Sequence, residues 1–213
     1  MNKKVFITGV SGLLGRALAD VFCRNGFWVV GQYHRHKPAE RENCQWVRAD
    51  FSSLSKIRSF LQENRASLGD CPLLVNNYGP ITYKDTAQLT AEDFSADFHG
   101  NVITAVEITG FFIRHAPLMG VVNLGFEFAG EIKAYRKILA YATAKNALRL
   151  ITASWAEAFP GIRFTMVGPG TLTGAAISRR DGGTVDPGRV AGLVFDILTG
   201  PAEKDKGPCF LPC

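Results

Sequence analysis

No apolar run in this 213-residue chain approaches the ~20 residues that a membrane-spanning helix needs, which excludes a helical membrane protein. The opening Met1-Asn-Lys-Lys leads straight into Val5-Phe-Ile-Thr-Gly, without the apolar stretch and small-residue cleavage site of a secretory leader, so a cytoplasmic location is expected. Cysteine is sparse and odd in number. Cys23, Cys44, Cys71, Cys209 and Cys213 form no CxxC pair and no His–Cys zinc spacing, so reduced thiols are expected and a metal is not. Charge of one sign does not gather either. The net charge of +5 comes from residues that scatter, apart from Lys3-Lys4, His34–Lys37 and Arg179-Arg180, and nucleic-acid binding is not expected. Low-complexity tracts, internal repeats and linkers are missing too. What is present is 46% hydrophobic and 20% charged, enough for one sizeable core and too apolar for disorder.

Strand and helix patterns alternate along the chain. Strands are expected at Lys4–Thr8, Phe27–Tyr33, Gln45–Arg48, Pro72–Asn76, Val121–Leu124, Ile162–Val167 and Cys209–Leu211. Helices are expected at Arg16–Arg24, stopped by Asn25-Gly26, and at Leu54–Arg65, capped by Ser52 or Ser53. A long one should run from a capping box at Thr90–Asp93 to about His115, another over Ile138–Phe159, and a last from Asp186-Pro187 to Leu198. The alternation predicts a doubly wound α/β protein: one Rossmann-type domain over residues 1–213, about seven parallel strands with helices on both faces. Loops near 34–44, 77–89, 125–137 and 171–185 follow strands, on the side where such sheets bind ligands.

Thr8-Gly9-Val10-Ser11-Gly12-Leu13-Leu14-Gly15 joins the first strand to the first helix. Glycines at 9, 12 and 15 allow a tight turn, close approach of backbone to phosphate, and close packing of helix on strand. The helix N-terminus adds unpaired N–H groups for an anion. A GxSxG nucleophile elbow at Ser11 fails, because Leu13 stands at its second glycine.

Tyr141-Ala-Thr-Ala-Lys145 is YxxxK, and on a helix four residues bring both side chains to one face. A cation there favours phenolate and should lower the tyrosine pKa from about 10, suiting it to proton transfer. Tyr33-His-Arg-His-Lys37 has the same spacing, but it ends a strand and meets Pro38 at once, so no helix joins that pair.

Together these segments resemble the short-chain dehydrogenase/reductase family, in its TGxxGxxG branch, over most of the chain. Asn76-Asn77-Tyr78-Gly79 is similar to the family's NNAG, with Tyr for Ala. The resemblance implies cofactor contacts from Gly9, Ser11, Gly12, Leu13, Leu14 and Gly15, and from Asp50 and Phe51 at the adenine. It extends them to Asn77, Tyr78, Gly79, Tyr141, Lys145, Pro169, Gly170 and Leu172. It also implies direct hydride transfer, with Tyr141 as proton donor, Lys145 lowering its pKa and holding the ribose, and Asn101 anchoring a water relay. A small-molecule substrate and a homodimer or homotetramer follow from the same likeness.

The stretch Val121-Val-Asn-Leu-Gly125-Phe-Glu-Phe128 departs from the family, which has a carbonyl-binding Ser there. Glu127 is the nearest polar candidate, either catalytic or a solvated loop carboxylate. Pteridine reductases, one branch of the family, use an acid in this region on a ring C=N. The second strand ends in Tyr33-His34-Arg35-His36-Lys37, with no acid before Glu40. A carboxylate would repel a 2′-phosphate, whereas Arg35, helped by His34 and His36, suits one, so NADPH is expected. As a zinc half-site the two histidines lack further ligands. Competing readings are a nucleotide-binding sensor or assembly module without turnover, and a reductase of 3-ketoacyl or sugar ketones. Only the short segment Thr171–Asp186 separates Pro169-Gly170 from the next helix, where the family often folds a longer substrate lid. An open site, or one completed by Tyr78, Phe126 and Phe128, is therefore expected.

Overall fold

The structure, a computed structural model, describes residues 3–126, 134–175, 184–201 and 210–212. The sheet is built outward from β1 (Lys4–Ile7), whose Val5, Phe6 and Ile7 have no solvent contact. Apolar side chains on successive residues can be buried only where both faces are covered, which makes β1 an interior strand. It lies between β2 (Trp28–Tyr33) and β4 (Leu73–Asn76). Outside these are β3 (Cys44–Arg48) on one side, and β5 (Gly120–Leu124), β6 (Arg163–Gly168) and β7 (Phe210–Pro212) on the other. The order is β3-β2-β1-β4-β5-β6-β7, every neighbouring pair parallel. The chain adds strands on one side up to β3 and crosses to β4 on the other. A crevice is thereby left above the C-terminal ends of β1 and β4.

Alternation divides the core. Val5 and Ile7 pack with Leu18 and Phe22 of α1 (Leu13–Arg24) and Val190 and Val194 of α7 (Pro187–Thr199). Phe6 faces the other way, stacked on Phe112 of α5 (Thr104–His115) at 5.6 Å and next to Phe60 of α2 (Leu54–Glu63). A third group, with Ala144 and Leu148 of α6 (Leu139–Ala158), covers Met166 of β6. Each such large side chain contributes about 1.5–3 kcal/mol by leaving water. Beneath the crevice a buried polar chain crosses the sheet. Asn76 Nδ2 donates to Thr109 Oγ1 and Asn123 Oδ1, and Asn123 Nδ2 donates to Thr152 Oγ1.

Three helices differ from expectation, the first because it already begins at Leu13, with Gly12 as its N-cap, rather than at Arg16. The second ends at Glu63, because the chain turns at Asn64 before the short α3 (Arg65–Leu68). The expected Thr90–His115 helix is three pieces: α4 (Ala91–Phe98), a π-helical turn (His99–Ile103) and α5. At that turn Gly100 presses on the Pro80 ring, where a Cβ would lie 2.3 Å from Cγ. Thr104 Oγ1 bonds back to the His99 carbonyl at 2.9 Å. Apolar periodicity continues across such a turn, so the pattern alone could not reveal it. The caps agree with the sequence: Ser53 for α2, the Thr90–Asp93 box for α4, and Asp186 with Pro187 for α7.

Candidate active site

The glycine turn closes the bottom of the crevice. Gly9 has φ +69°, and a Cβ on it would sit 3.1 Å from Asn77 Nδ2 and 3.2 Å from Tyr78 Cα. A Cβ on Gly15 would lie 2.2 Å from the Gly9 carbonyl oxygen, so helix and turn touch through bare backbone. The N-cap of α1 is Gly12, with no side-chain cap, and no acid stands in the first turn beside Leu13 and Leu14. Uncapped N–H groups in a cradle that a Cβ would fill suit a phosphate anion, and the residues present fit a dinucleotide.

Thr8 and Asn77, both within the motifs, and Gln32, outside them, hold this turn. Thr8 Oγ1 accepts from the backbone N–H of Asn77 (3.0 Å) and of Tyr78 (2.9 Å). Asn77 Nδ2 donates to the carbonyls of Thr8 and Gly9. Gln32, buried at the end of β2, accepts from Gly9 N through Oε1 at 2.9 Å and donates to the Ala49 carbonyl at 2.8 Å. A buried glutamine in an otherwise apolar strand was the available signal. Gln32→Leu is expected to cost about 1–3 kcal/mol by orphaning Gly9 N and the Ala49 carbonyl. Urea unfolding would read it, and an unchanged midpoint would rule out the bridge.

At the far end of β2 and β3, Arg35 and His36 are exposed and His34 half-buried. His34 Nε2 lies 3.9 Å from Asp50 Oδ1. The Lys56 ammonium at 2.6 Å and the backbone N–H of Ser52 hold Asp50 well below the usual carboxylate range. The next residue, Phe51, is buried edge-on to Tyr78 at 5.5 Å. Burial, with the Asp50 charge, pushes the Tyr78 phenol up. His99 Nε2 is 2.9 Å from the Phe51 carbonyl, linking this end to the π-helical turn.

At the other end, Tyr141 and Lys145 lie one turn apart on α6, the Lys145 Nζ 5.5 Å from the Tyr141 ring centroid. Asn101 and Lys145 meet over Gly79, where a Cβ would stand 2.3 Å from Asn101 Oδ1 and 3.0 Å from Lys145 Nζ. Asn101 Nδ2 donates to the carbonyls of Pro80 and Asp97, while its buried Oδ1 has no hydrogen-bond partner. Lys145 Nζ donates to the Leu124 carbonyl at 2.7 Å.

The expected lowering of the tyrosine pKa is not found. Burial, with a smaller push from Asp97, raises the Tyr141 phenol above its ordinary value. Burial also pulls Lys145 down to about 7 against the opposing charge of Asp97. Desolvation acts on both members of the pair, and it outweighs their proximity.

The substrate side is aromatic. Phe126 lies edge-on to Tyr141 at 5.7 Å and to Tyr135 at 5.6 Å. The loop after β4 is tied to the segment before α6, Lys84 N donating to the Lys137 carbonyl and Thr86 N to the Arg136 carbonyl. Glu127 and Phe128 lie outside the described residues. Pro169 is buried and Gly170 half-buried after β6, and Leu172 bridges to Val185. Ser11 O accepts from Arg16 Nε at 3.0 Å. Among the described residues, no group of three or more His, Cys, Asp or Glu could hold a metal, and no helix is long and apolar enough to cross a membrane.

The sheet order, the crevice and the glycine turn define an α/β protein of the dinucleotide-binding type. The family profile described as short chain dehydrogenase matches residues 3–182, and the chain belongs to the short-chain dehydrogenase/reductase family. It is 28% identical over 177 residues to the uncharacterized oxidoreductase YvrD of Bacillus subtilis, covering 78% of this chain and 66% of that protein. It is 28% identical over 188 residues to a tropinone reductase homolog of Arabidopsis thaliana, covering 80% and 69%. The chain thus spans about two thirds of the length of these relatives. Its fold is shared by a short-chain dehydrogenase of Leptospira borgpetersenii with bound NAD+ (TM-score 0.85, 20% identity, 100% of this chain and 91% of that one). It is shared also by one from Burkholderia cenocepacia in complex with NADP (TM-score 0.83, 22% identity, 100% and 96%).

Proposed function

We propose that this protein is an NADPH-dependent reductase that delivers hydride to a small carbonyl or a pteridine-like C=N. The observation that carries this reading is the meeting of Tyr141, Lys145 and Asn101 at one corner of the crevice, above the glycine turn. The N-terminus of α1 would hold the pyrophosphate, Asp50 and Phe51 the adenine, and Lys145 the ribose. NADPH supplies the hydride when bound. Tyr141 supplies the proton to the substrate, and Phe126 with Tyr135 excludes water from it. The preference for NADPH rests on Arg35, His34 and His36. The first acid beyond β2, Glu40, pairs with Lys37. Exposed Ile103 of the π-helical turn and Leu150 of α6 support self-association into a homodimer or homotetramer.

The test is consumption of NADPH and NADH with a panel of dihydropteridines, ketones, 3-ketoacyl esters and sugars. Turnover with NADPH and a dihydropteridine, faster than with any ketone, is expected. Binding of NADPH by calorimetry without turnover of any substrate would instead establish a nucleotide-binding module, a reading favoured by Phe126 standing against Tyr141 where a carbonyl-binding serine is missing. Arg35→Glu should lower kcat/KM for NADPH at least ~10-fold relative to NADH, by replacing a charge-assisted contact with a repulsion. An unchanged ratio of the two would remove Arg35 from the phosphate site.

A further inference from the structure

Asp97, next to last in α4, is a carboxyl group with 1% of its surface exposed, and nothing in the proposed reaction uses it. Its two oxygens accept from Thr82 N at 3.2 Å each, and Oδ1 accepts from Thr82 Oγ1 at 3.1 Å. Its backbone carbonyl accepts from Asn101 Nδ2 at 2.9 Å. One residue therefore grips both walls of the corner: the Pro80–Thr82 turn that leads from Gly79, and the π-helical turn that carries Asn101.

The donors that Thr82 offers are neutral, so the buried carboxylate needs a countercharge from elsewhere. α4 packs against α6, and Asn101, bonded to the Asp97 carbonyl, meets Lys145 over Gly79. The groups that interact with the Asp97 charge are Asp93 on its own helix, and Tyr141 and Lys145 on α6. Lys84, two residues beyond Thr82, is already paired with Asp93 at 2.8 Å. Lys145 is the complementary case: a buried ammonium whose hydrogen bond goes to a neutral carbonyl, that of Leu124. We propose that Asp97 is a positioning residue of the Tyr141–Lys145 pair, fixing the two turns around Asn101 and supplying the negative charge that keeps Lys145 an ammonium inside the core. The inference rests on the reading of that pair as the proton-donating machinery.

The sign follows from the charges. Removing the carboxylate charge leaves Lys145 to burial alone, so it loses its proton at lower pH. It also lifts a repulsion from the Tyr141 phenolate, so that group too titrates lower. The direct test is NMR titration of the Lys145 Cε–Hε resonance in the nucleotide-free full chain labelled with 13C-lysine, assigned by its loss in Lys145→Met. In Asp97→Asn the midpoint is expected to fall by about half a unit or more. An unchanged midpoint overturns the proposal, whether or not any substrate is ever reduced. Coupling is mutual, so Lys145→Met should raise the Asp97 carboxyl midpoint by a like amount, and its failure to do so is equally fatal. That second titration decides the matter if Asp97→Asn does not fold. In turnover, the alkaline limb of kcat/KM should move to lower pH in Asp97→Asn and return in Asp97→Glu. A purely structural role would lower kcat at every pH and leave the limb in place.

Discussion

Tyr141→Phe is expected to cut turnover by about 10²–10⁴ while leaving nucleotide affinity and thermal stability near those of the parent. The ring does the packing: its edge contact with Phe126 at 5.7 Å and its place 5.5 Å from Lys145 Nζ survive the loss of one oxygen. Only the proton goes. Burial keeps the phenol protonated well above neutral pH, which is the state a donor in the reductive direction requires. Steady-state NADPH oxidation beside a fluorescence titration of NADPH checks both halves. Parent-like turnover in the variant would transfer the proton to another group and remove Tyr141 from the reaction.

Gly15→Ala should be as damaging through an unrelated route. The added Cβ would meet the Gly9 carbonyl oxygen at 2.2 Å and Val10 Cα at 2.7 Å, and both are backbone atoms that cannot rotate away. Helix α1 must then lift from the turn, at a cost of about 1–3 kcal/mol. For a chain of this size each kcal/mol lowers the melting midpoint by about 2–4 °C. Lifting the helix also draws its N–H groups away from the phosphates, so NADPH binding should weaken at least ~10-fold, the effect of about 1.4 kcal/mol. Gly192→Ala is the control. It sits inside α7 with nothing within 4 Å of the added atom, and the change should stabilise by up to about 1 kcal/mol. Calorimetric melting of the two variants separates steric damage from helix propensity. Equal melting midpoints would refute the close contact at Gly15.

The strands were legible because burial on both faces leaves short apolar runs with little alternative, as in Val5-Phe-Ile. The glycine turn was legible because its residues act through backbone geometry, which glycine spacing encodes directly. The pairing of Tyr141 with Lys145 followed from helical periodicity alone. What escaped was decided by contacts between distant segments. Gln32 reaches Gly9 and Ala49, and Asp97 reaches Thr82, across separations that no local pattern expresses. The π-helical turn was hidden because one extra residue barely disturbs an apolar rhythm. The high proton affinity of Tyr141 is invisible to spacing, since burial is a property of the assembled fold.

One small contact governs how the chain enters its last described helix. Leu172 and Val185 form a parallel bridge, Thr173 N donates to the Val185 carbonyl and Val185 N to the Thr171 carbonyl, and the hydroxyls of Thr173 and Thr184 meet at 2.9 Å. The two stems of the segment after β6 are therefore sewn together at its base, with Gly174 seated against Leu13 of the glycine turn. Val185 stands next to Asp186, the cap of α7, so the bridge fixes the point from which that helix starts. The bridge thus acts as a tether that moors the start of α7 to the rim of the sheet beside the glycine turn, so that the helix covering Val5 and Ile7 and the turn at Leu13 are aligned from one fixed point.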